Sequence, residues 1–320
     1  MPWHIGIDEA GYGPNLGPFV MTLVACRVPD KLGDACLWHV LKDGVRRADE
    51  PSDHRLIVAD SKQVYSTAHG WDNLEKTALS AHGGGFFDHA ASLEHLLQSL
   101  AADGLPALCQ EAWFVGDTAI PTEVDADDLT ASIASWRQLS KTNGLTWGFC
   151  RSAIVAAPRF NDLIDKWDTK SAVLSVAATQ LMQQCFEHTT AEPMRFVIDK
   201  HGGRNAYSAL LQHAFADGIV LAEEEGRLRS VYRVEGLDRP VRIVVTPKAD
   251  VENFTVALAS MISKYVRELL MREFNRFWQT HVPQLKPTAG YPQDAVRYIE
   301  AIRPALLKLG IAERLVWRNR

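Results

Sequence analysis

The feature that most constrains this chain is its opening, where a short apolar strand ending in two acids meets a turn dense in glycine and proline. His4-Ile5-Gly6-Ile7-Asp8 reads as the strand and residues 10–18 as the turn. Phe19-Val20-Met21-Thr22-Leu23-Val24-Ala25-Cys26 follows as an apolar, partly β-branched run, the pattern of a buried strand. A strand, a compact turn and a second strand open a sheet in antiparallel fashion. The pair Asp8-Glu9 therefore sits where a strand gives way to a turn.

Further along, the patterns alternate. Helices are expected over 31–47, 73–82, 92–103 and 129–141, with Gly83-Gly84-Gly85 as a break. Residues 145–157 read as a strand and 161–188 as one long helix with Leu174, Ala177, Leu181 and Cys185 on its apolar face. Met194-Arg195-Phe196-Val197-Ile198-Asp199 is a strand ending in an acid, and 206–216 is helical. A hairpin is expected from 228–234 and 240–246. Phe254, Leu258, Met261, Tyr265 and Leu269 recur at three- and four-residue steps, with Ser260, Lys264 and Arg267 as a polar stripe beside them. A last helix covers 293–309, with a break or kink expected near Pro304. The class is α/β, a mixed sheet flanked by helices. One domain over 1–320 is expected, with a helical elaboration near 70–160 and a helical part near 252–320.

Composition excludes several roles. The chain has 320 residues, 47% hydrophobic and 23% charged, with a net charge of -5. That charge argues against a general nucleic-acid coat protein, yet allows a local basic groove on an acidic body. No apolar run approaches the ~20 residues of a membrane helix. Five scattered cysteines form neither paired metal-ligand spacing nor a disulfide framework. With no secretory leader pattern at Met1-Pro2-Trp3-His4, a cytoplasmic setting is expected.

Asp8, Asp199 and Asp250 each lie at or just after the end of a strand-like run. Hydrolysis of phosphodiesters by two divalent ions needs several carboxylates gathered from distant parts of a chain. Helix caps and turn acids occupy the same kind of position, so placement alone favours the plainer reading.

The motifs shift that balance. Gly6-Ile7-Asp8-Glu9-Ala10-Gly11-Tyr12-Gly13-Pro14, with Gly17-Pro18 after it, resembles the opening of the ribonuclease HII family, Asp-Glu-Ala-Gly-Arg-Gly-Pro then Gly-Pro. Asp60-Ser61-Lys62, expected in a loop after the apolar run Leu56-Ile57-Val58-Ala59, resembles its Asp-Ser-Lys loop, and Phe196-Val197-Ile198-Asp199 its strand with the third acid. Lys248-Ala249-Asp250 and Ala259-Ser260-Met261-Ile262-Ser263-Lys264 with Arg267 resemble the fourth acid and the helix after it. Gly290-Tyr291-Pro292 resembles its Gly-Tyr element. The motifs fall in the family's order and touch most of the chain outside 70–161.

The resemblance implies a ribonuclease H-like fold and a metal-dependent endonuclease that cuts the RNA strand of RNA–DNA hybrids. It implies Asp8, Glu9, Asp199 and Asp250 as ligands of Mg²⁺ or Mn²⁺. Gly11, Tyr12, Gly13, Ser61, Lys62, Lys264 and Tyr291 are the implied substrate contacts. Tyr12 stands where the family has arginine, which removes a guanidinium fork from the loop and points away from the family's preference for a single embedded ribonucleotide. A nuclease of the same fold with another structured nucleic-acid substrate is the alternative, and a non-catalytic nucleic-acid binder is a second one. The run Lys200-His201-Gly202-Gly203-Arg204 is expected as a polar, basic turn. Trp38, Trp71, Trp113 and Trp136 are expected to pack inside the protein.

Overall fold

The computed structural model describes residues 1–33, 35–66 and 70–319. In chain order its strands are β1 (Trp3–Ala10), β2 (Phe19–Arg27), β3 (Val45–Arg46), β4 (Leu56–Ile57), β5 (Thr146–Val155), β6 (Met194–Asp199), β7 (Ile219–Glu225), β8 (Ser230–Glu235) and β9 (Val241–Thr246). The helices are α1 (Leu37–Val40), α2 (Ser61–Val64), α3 (Trp71–Ala81), α4 (Leu93–Ala101), α5 (Leu105–Leu108), α6 (Ala126–Asn143), α7 (Ala157–Trp167), α8 (Ser171–His188), α9 (Ser208–Ala214), α10 (Ala249–Glu252), α11 (Phe254–His281) and α12 (Pro292–Leu309).

Among the described residues, seven strands form one mixed sheet in the order β5-β2-β1-β6-β9-β8-β7. β1 runs antiparallel to β2, as its short turn requires, and parallel to β6. β6 is parallel to β9, while β8 is antiparallel to β9 and to β7. This is the expected class, a central mixed sheet flanked by helices. Both faces are covered, which explains why β2 is apolar along its length instead of alternating. Val20, Val24 and Cys26 enter a core with α3, α4, α6 and α11. Phe19, Met21, Leu23 and Ala25 enter the opposite core with α7, α8 and α9. A third cluster joins the far half of α11 to α12.

Two buried glutamates tie residues 115–124 to α3 and α11. Glu75 on α3 accepts from the backbone N–H groups of Thr122, Glu123 and Val124 and from the hydroxyls of Thr122 and Tyr265, at 2.8 to 3.0 Å. Glu273 on α11 accepts from the N–H groups of Val115 and Gly116 and from the Thr118 hydroxyl. A buried carboxylate is tolerable only when its lone pairs are filled in this way. Trp38, Trp71, Trp113 and Trp136 are buried, as expected of packing residues.

Several local expectations are corrected. The helix expected over 31–47 is a short turn at Asp30–Leu32, the four-residue α1 and the small strand β3. Asp34 within that range lies outside the described residues. The 161–188 helix is two helices, α7 and α8, because Asp168 takes a left-handed conformation (φ 50°) that closes α7. Asp60-Ser61-Lys62 is not a loop, since Asp60 caps α2 by accepting from the Lys62 N–H at 3.0 Å. β7 has no counterpart in the sequence reading, where Glu223, Glu224 and Glu225 obscure the apolar run before them. The polar stripe of α11 is buried, with Ser260 and Arg267 no more than 2% exposed, because residues 61–65 and 16–18 cover that side of the helix. α12 runs through Pro304 without interruption.

Candidate active site

Asp8 and Glu9 lie in β1, and Ile7 is level with Ile198 of β6, so Asp8 and the terminal Asp199 emerge at the same end of neighbouring strands. Asp199 is also level with Thr246, the last residue of β9. From there the chain reverses at Lys248 (φ 58°) into α10, and the Ala249 N–H donates to Asp199 Oδ1 at 2.9 Å. That bond ties the strand carrying the third acid to the helix carrying Asp250. Sheet register thus brings together the four acids singled out from the sequence.

Gly6 makes the rest possible. A Cβ there would lie 2.2 Å from the carbonyl carbon of Thr255 and the nitrogen of Val256, so only glycine lets α11 rest directly on β1. The close approach delivers two serines behind Asp8. Ser263 Oγ lies 3.1 Å from the Asp8 carbonyl oxygen and 2.8 Å from Thr22 Oγ1. Ser260 hydrogen-bonds the Asp8 carboxylate and is 3.1 Å from Ser61 Oγ.

The electrostatics are those of acids crowded together. Burial raises the Asp8 carboxyl well above the usual carboxylate range, and the charges of Glu9 and Asp199 raise it further. Burial and Asp199 push Glu9 up to about 7. Burial, then Asp60 and Asp199, push Asp250 up to about 6. Asp199 is raised by burial against the opposing hydrogen bond from Ala249. Lys62 is the cation these groups share. Partial desolvation disfavours its charge, but Asp60, Asp8, Asp250 and Glu9 together raise its pKa. Like charges within a few Å hold protons that a cation between them would displace.

Among the described residues no three His, Cys, Asp or Glu side chains are already drawn together as a finished metal cage. The donor set itself, hard carboxylate oxygens at the end of a sheet, fits a divalent ion such as Mg²⁺ or Mn²⁺ and suits softer metals poorly.

The residues singled out as substrate contacts separate into two groups. Gly11, Tyr12 and Gly13 lie beside the acids, and the Tyr291 ring is the nearest neighbour to Gly13, 3.7 Å from where a Cβ would stand. Tyr291 is half exposed and caps α12. Tyr12 is half-buried, edge-on to Phe19, with the Lys170 ammonium 4.9 Å from its ring centroid. Lys62 also faces the acids. Ser61, in contrast, is buried behind Asp8 and holds Ser260. Lys264 is engaged with Glu268 at 2.7 Å and lies over the Tyr65 ring. Arg267 is fully buried and bonds loop carbonyls rather than standing on a solvated helix face.

The basic turn after Asp199 is likewise built into the structure. Lys200 donates to the carbonyls of Gly226 and Arg227, His201 is buried, and Arg204 donates to Ser171 and Ser175. Sequence reasoning missed Asp60 as a neighbour of Asp250, and it missed Lys170 and Arg318. Only Asp60 had a signal, as the first residue of the Asp-Ser-Lys motif.

No family model matches the sequence, and no curated protein matches it. Among solved structures, the chain is similar to ribonuclease H2 from Pyrococcus horikoshii OT3, at 15% identity and a TM-score of 0.46 over 98% of this chain and 92% of that one. It is similar to a chain of the PCNA:RNase HII complex from Archaeoglobus fulgidus, at 15% identity and a TM-score of 0.42 over 99% and 94%. Bst-RNase HIII in complex with Mn²⁺ matches at 14% identity and a TM-score of 0.46, over 99% of this chain and 65% of that one.

Proposed function

We propose that this chain is a ribonuclease H-type endonuclease that hydrolyses the RNA strand of RNA–DNA hybrids with Mg²⁺ or Mn²⁺. The observation that carries the reading is the meeting of Asp8, Glu9, Asp199 and Asp250 at one end of the sheet, each with its carboxyl raised. Four acids forced together destabilise a fold unless a cation or a proton completes them. A purely binding protein would gain nothing from setting them against phosphate.

In this reading the four acids hold the metal, which when bound activates water and stabilises the departing oxygen. Ser260 fixes the Asp8 carboxylate and Ser263 fixes its backbone, so the ligand geometry is set before substrate arrives. Ala249 does the same for Asp199. Lys62 neutralises part of the acid charge and offers a contact to the scissile phosphate. Gly11, Tyr12 and Gly13 meet the sugar of the cut strand, with Tyr291 beside them. Tyr12 brings a ring and a hydroxyl to that loop, so discrimination rests on shape and the 2′-hydroxyl more than on a guanidinium fork.

The test is cleavage of a labelled hybrid, and of a DNA duplex holding one ribonucleotide, during Mg²⁺ and Mn²⁺ titration. Cleavage of the hybrid that vanishes in Asp8→Asn is expected. Asp8→Asn cutting as fast as the unchanged protein defeats the proposal. Cleavage confined to another structured nucleic acid moves it to the alternative substrate.

A further inference from the structure

The loop over the acids is held from an unexpected direction. Residues 11–18 have no regular secondary structure, and their carbonyls are taken up by two arginines no more than 1% exposed. Arg267 donates Nε to Pro18 and Nη2 to Leu16. Arg318 lies 307 residues from Gly11, yet its Nη2 donates to the carbonyls of both Gly11 (2.7 Å) and Pro14. One nitrogen joining those two carbonyls closes residues 11–14 into a tight turn with Tyr12 and Gly13 at its apex. Gly11 accepts this shape because its φ is +86°.

The backbone continues the contact. The Arg318 N–H donates to the Asn15 carbonyl at 2.8 Å, Asn15 Nδ2 returns a bond to the Arg318 carbonyl at 2.9 Å, and Leu16 pairs with Trp317. The segment is anchored independently of the loop. Asn161 on α7 donates to the carbonyls of Arg314 and Trp317 and accepts from the Asn319 N–H, while Val316 enters the third core. The Arg318 guanidinium lies 4.3 Å from the Phe160 ring centroid. Its Nε and Nη1 are buried with no hydrogen-bond partner among the described residues, and burial followed by the Arg267 charge lowers its pKa to about 9. Burying a guanidinium is costly, and this one is spent on two carbonyls of one turn.

We propose that residues 314–319 are a strap that sets the shape of the Gly11–Pro14 turn for the nucleic-acid strand, with Arg318 as the positioning residue. The substrate half of this inference rests on the nuclease reading; the structural half does not. Arg318 acts through the turn and touches no reacting atom. Its removal therefore weakens substrate engagement while leaving the metal-binding acids in place.

Amide hydrogen exchange of residues 11–16 and steady-state cleavage of an RNA–DNA hybrid are measured for the unchanged protein, Arg318→Ala, Arg318→Lys and Asn161→Ala. Arg318→Ala is expected to speed exchange in the turn about tenfold, the equivalent of losing one ordinary hydrogen bond. KM rises by a similar factor with kcat nearly unchanged, and Arg318→Lys restores part of both. Asn161→Ala, which loosens the strap without touching the turn, gives the same local pattern at smaller size and serves if Arg318→Ala does not fold. Unchanged exchange in the turn, exchange raised throughout the molecule, or a kcat loss at constant KM overturns the proposal. If the unchanged protein cuts no hybrid, the nuclease reading fails, and the exchange pattern still decides whether the strap exists.

Discussion

Glu9→Gln tests the electrostatic core of the site without relying on any substrate. The Glu9 carboxyl rises from 4.5 to about 7, through burial first and the Asp199 charge second. At about 1.36 kcal/mol per pH unit, that rise corresponds to roughly 3 kcal/mol of strain on the ionised form. The folded state therefore binds this proton more tightly than the unfolded chain does. Stability of the metal-free protein from this group is present below pH 4.5 and is lost as pH climbs through about 7. Glutamine cannot ionise and escapes the loss. Unfolding entropy of about 2.1 cal/mol/K per residue, taken over 320 residues, converts 3 kcal/mol into a melting shift of roughly 4 °C. The assay is thermal unfolding in chelator across pH 4 to 8, repeated with Mg²⁺ or Mn²⁺. Glu9→Gln should melt above the unchanged protein at pH 8, match it near pH 4, and gain less from the metal. Equal melting at pH 8, or a gap just as large at pH 4, refutes the account of the site as mutually strained carboxylates.

Two further outcomes follow from named contacts. Lys62 offsets the raised carboxyls of Glu9, Asp199 and Asp250, so Lys62→Ala should move the acidic limb of the cleavage–pH profile upward by about one pH unit. A limb that stays in place would show that Lys62 acts on phosphate alone. Gly6→Ala drives a methyl group into the α11 backbone and should cost more than the ~1–3 kcal/mol of ordinary overpacking, read by denaturant unfolding. A near-neutral effect would mean α11 can lift off β1, and the placement of Ser260 and Ser263 behind Asp8 would lose its physical basis.

The parts of the fold legible in the sequence are those written in local pattern. β2 and β6 announce themselves as apolar runs, and α11 as a stripe at helical spacing, because burial on a known face leaves a periodic trace. The four acids stood out by type, by position after such runs and by motif order. What failed was every inference that needed a neighbour distant in sequence. Ser260 and Arg267 read as a polar stripe, and polarity reports exposure only when nothing packs on that side. The segment covering them lies roughly 200 or more residues away along the chain. β7 was hidden because an edge strand beside β8 tolerates three consecutive glutamates. The 31–47 and 161–188 stretches broke where backbone turns overrode helix-compatible composition.

The sequence by itself determined which residue types were available and which elements would carry them. These are the glycine that admits a helix against β1, the acids at the strand ends and the turn rich in glycine. Each is fixed by local conformational preference and side-chain chemistry. Tertiary structure alone decided who stands beside whom. It set Lys62 among the acids, brought Asp60 to Asp250, sent Ser61 behind Asp8 and carried Arg318 beneath the Gly11–Pro14 turn. Those relations come from packing two helical layers and a returning segment onto one sheet, and no local pattern encodes contacts made across so much of the chain.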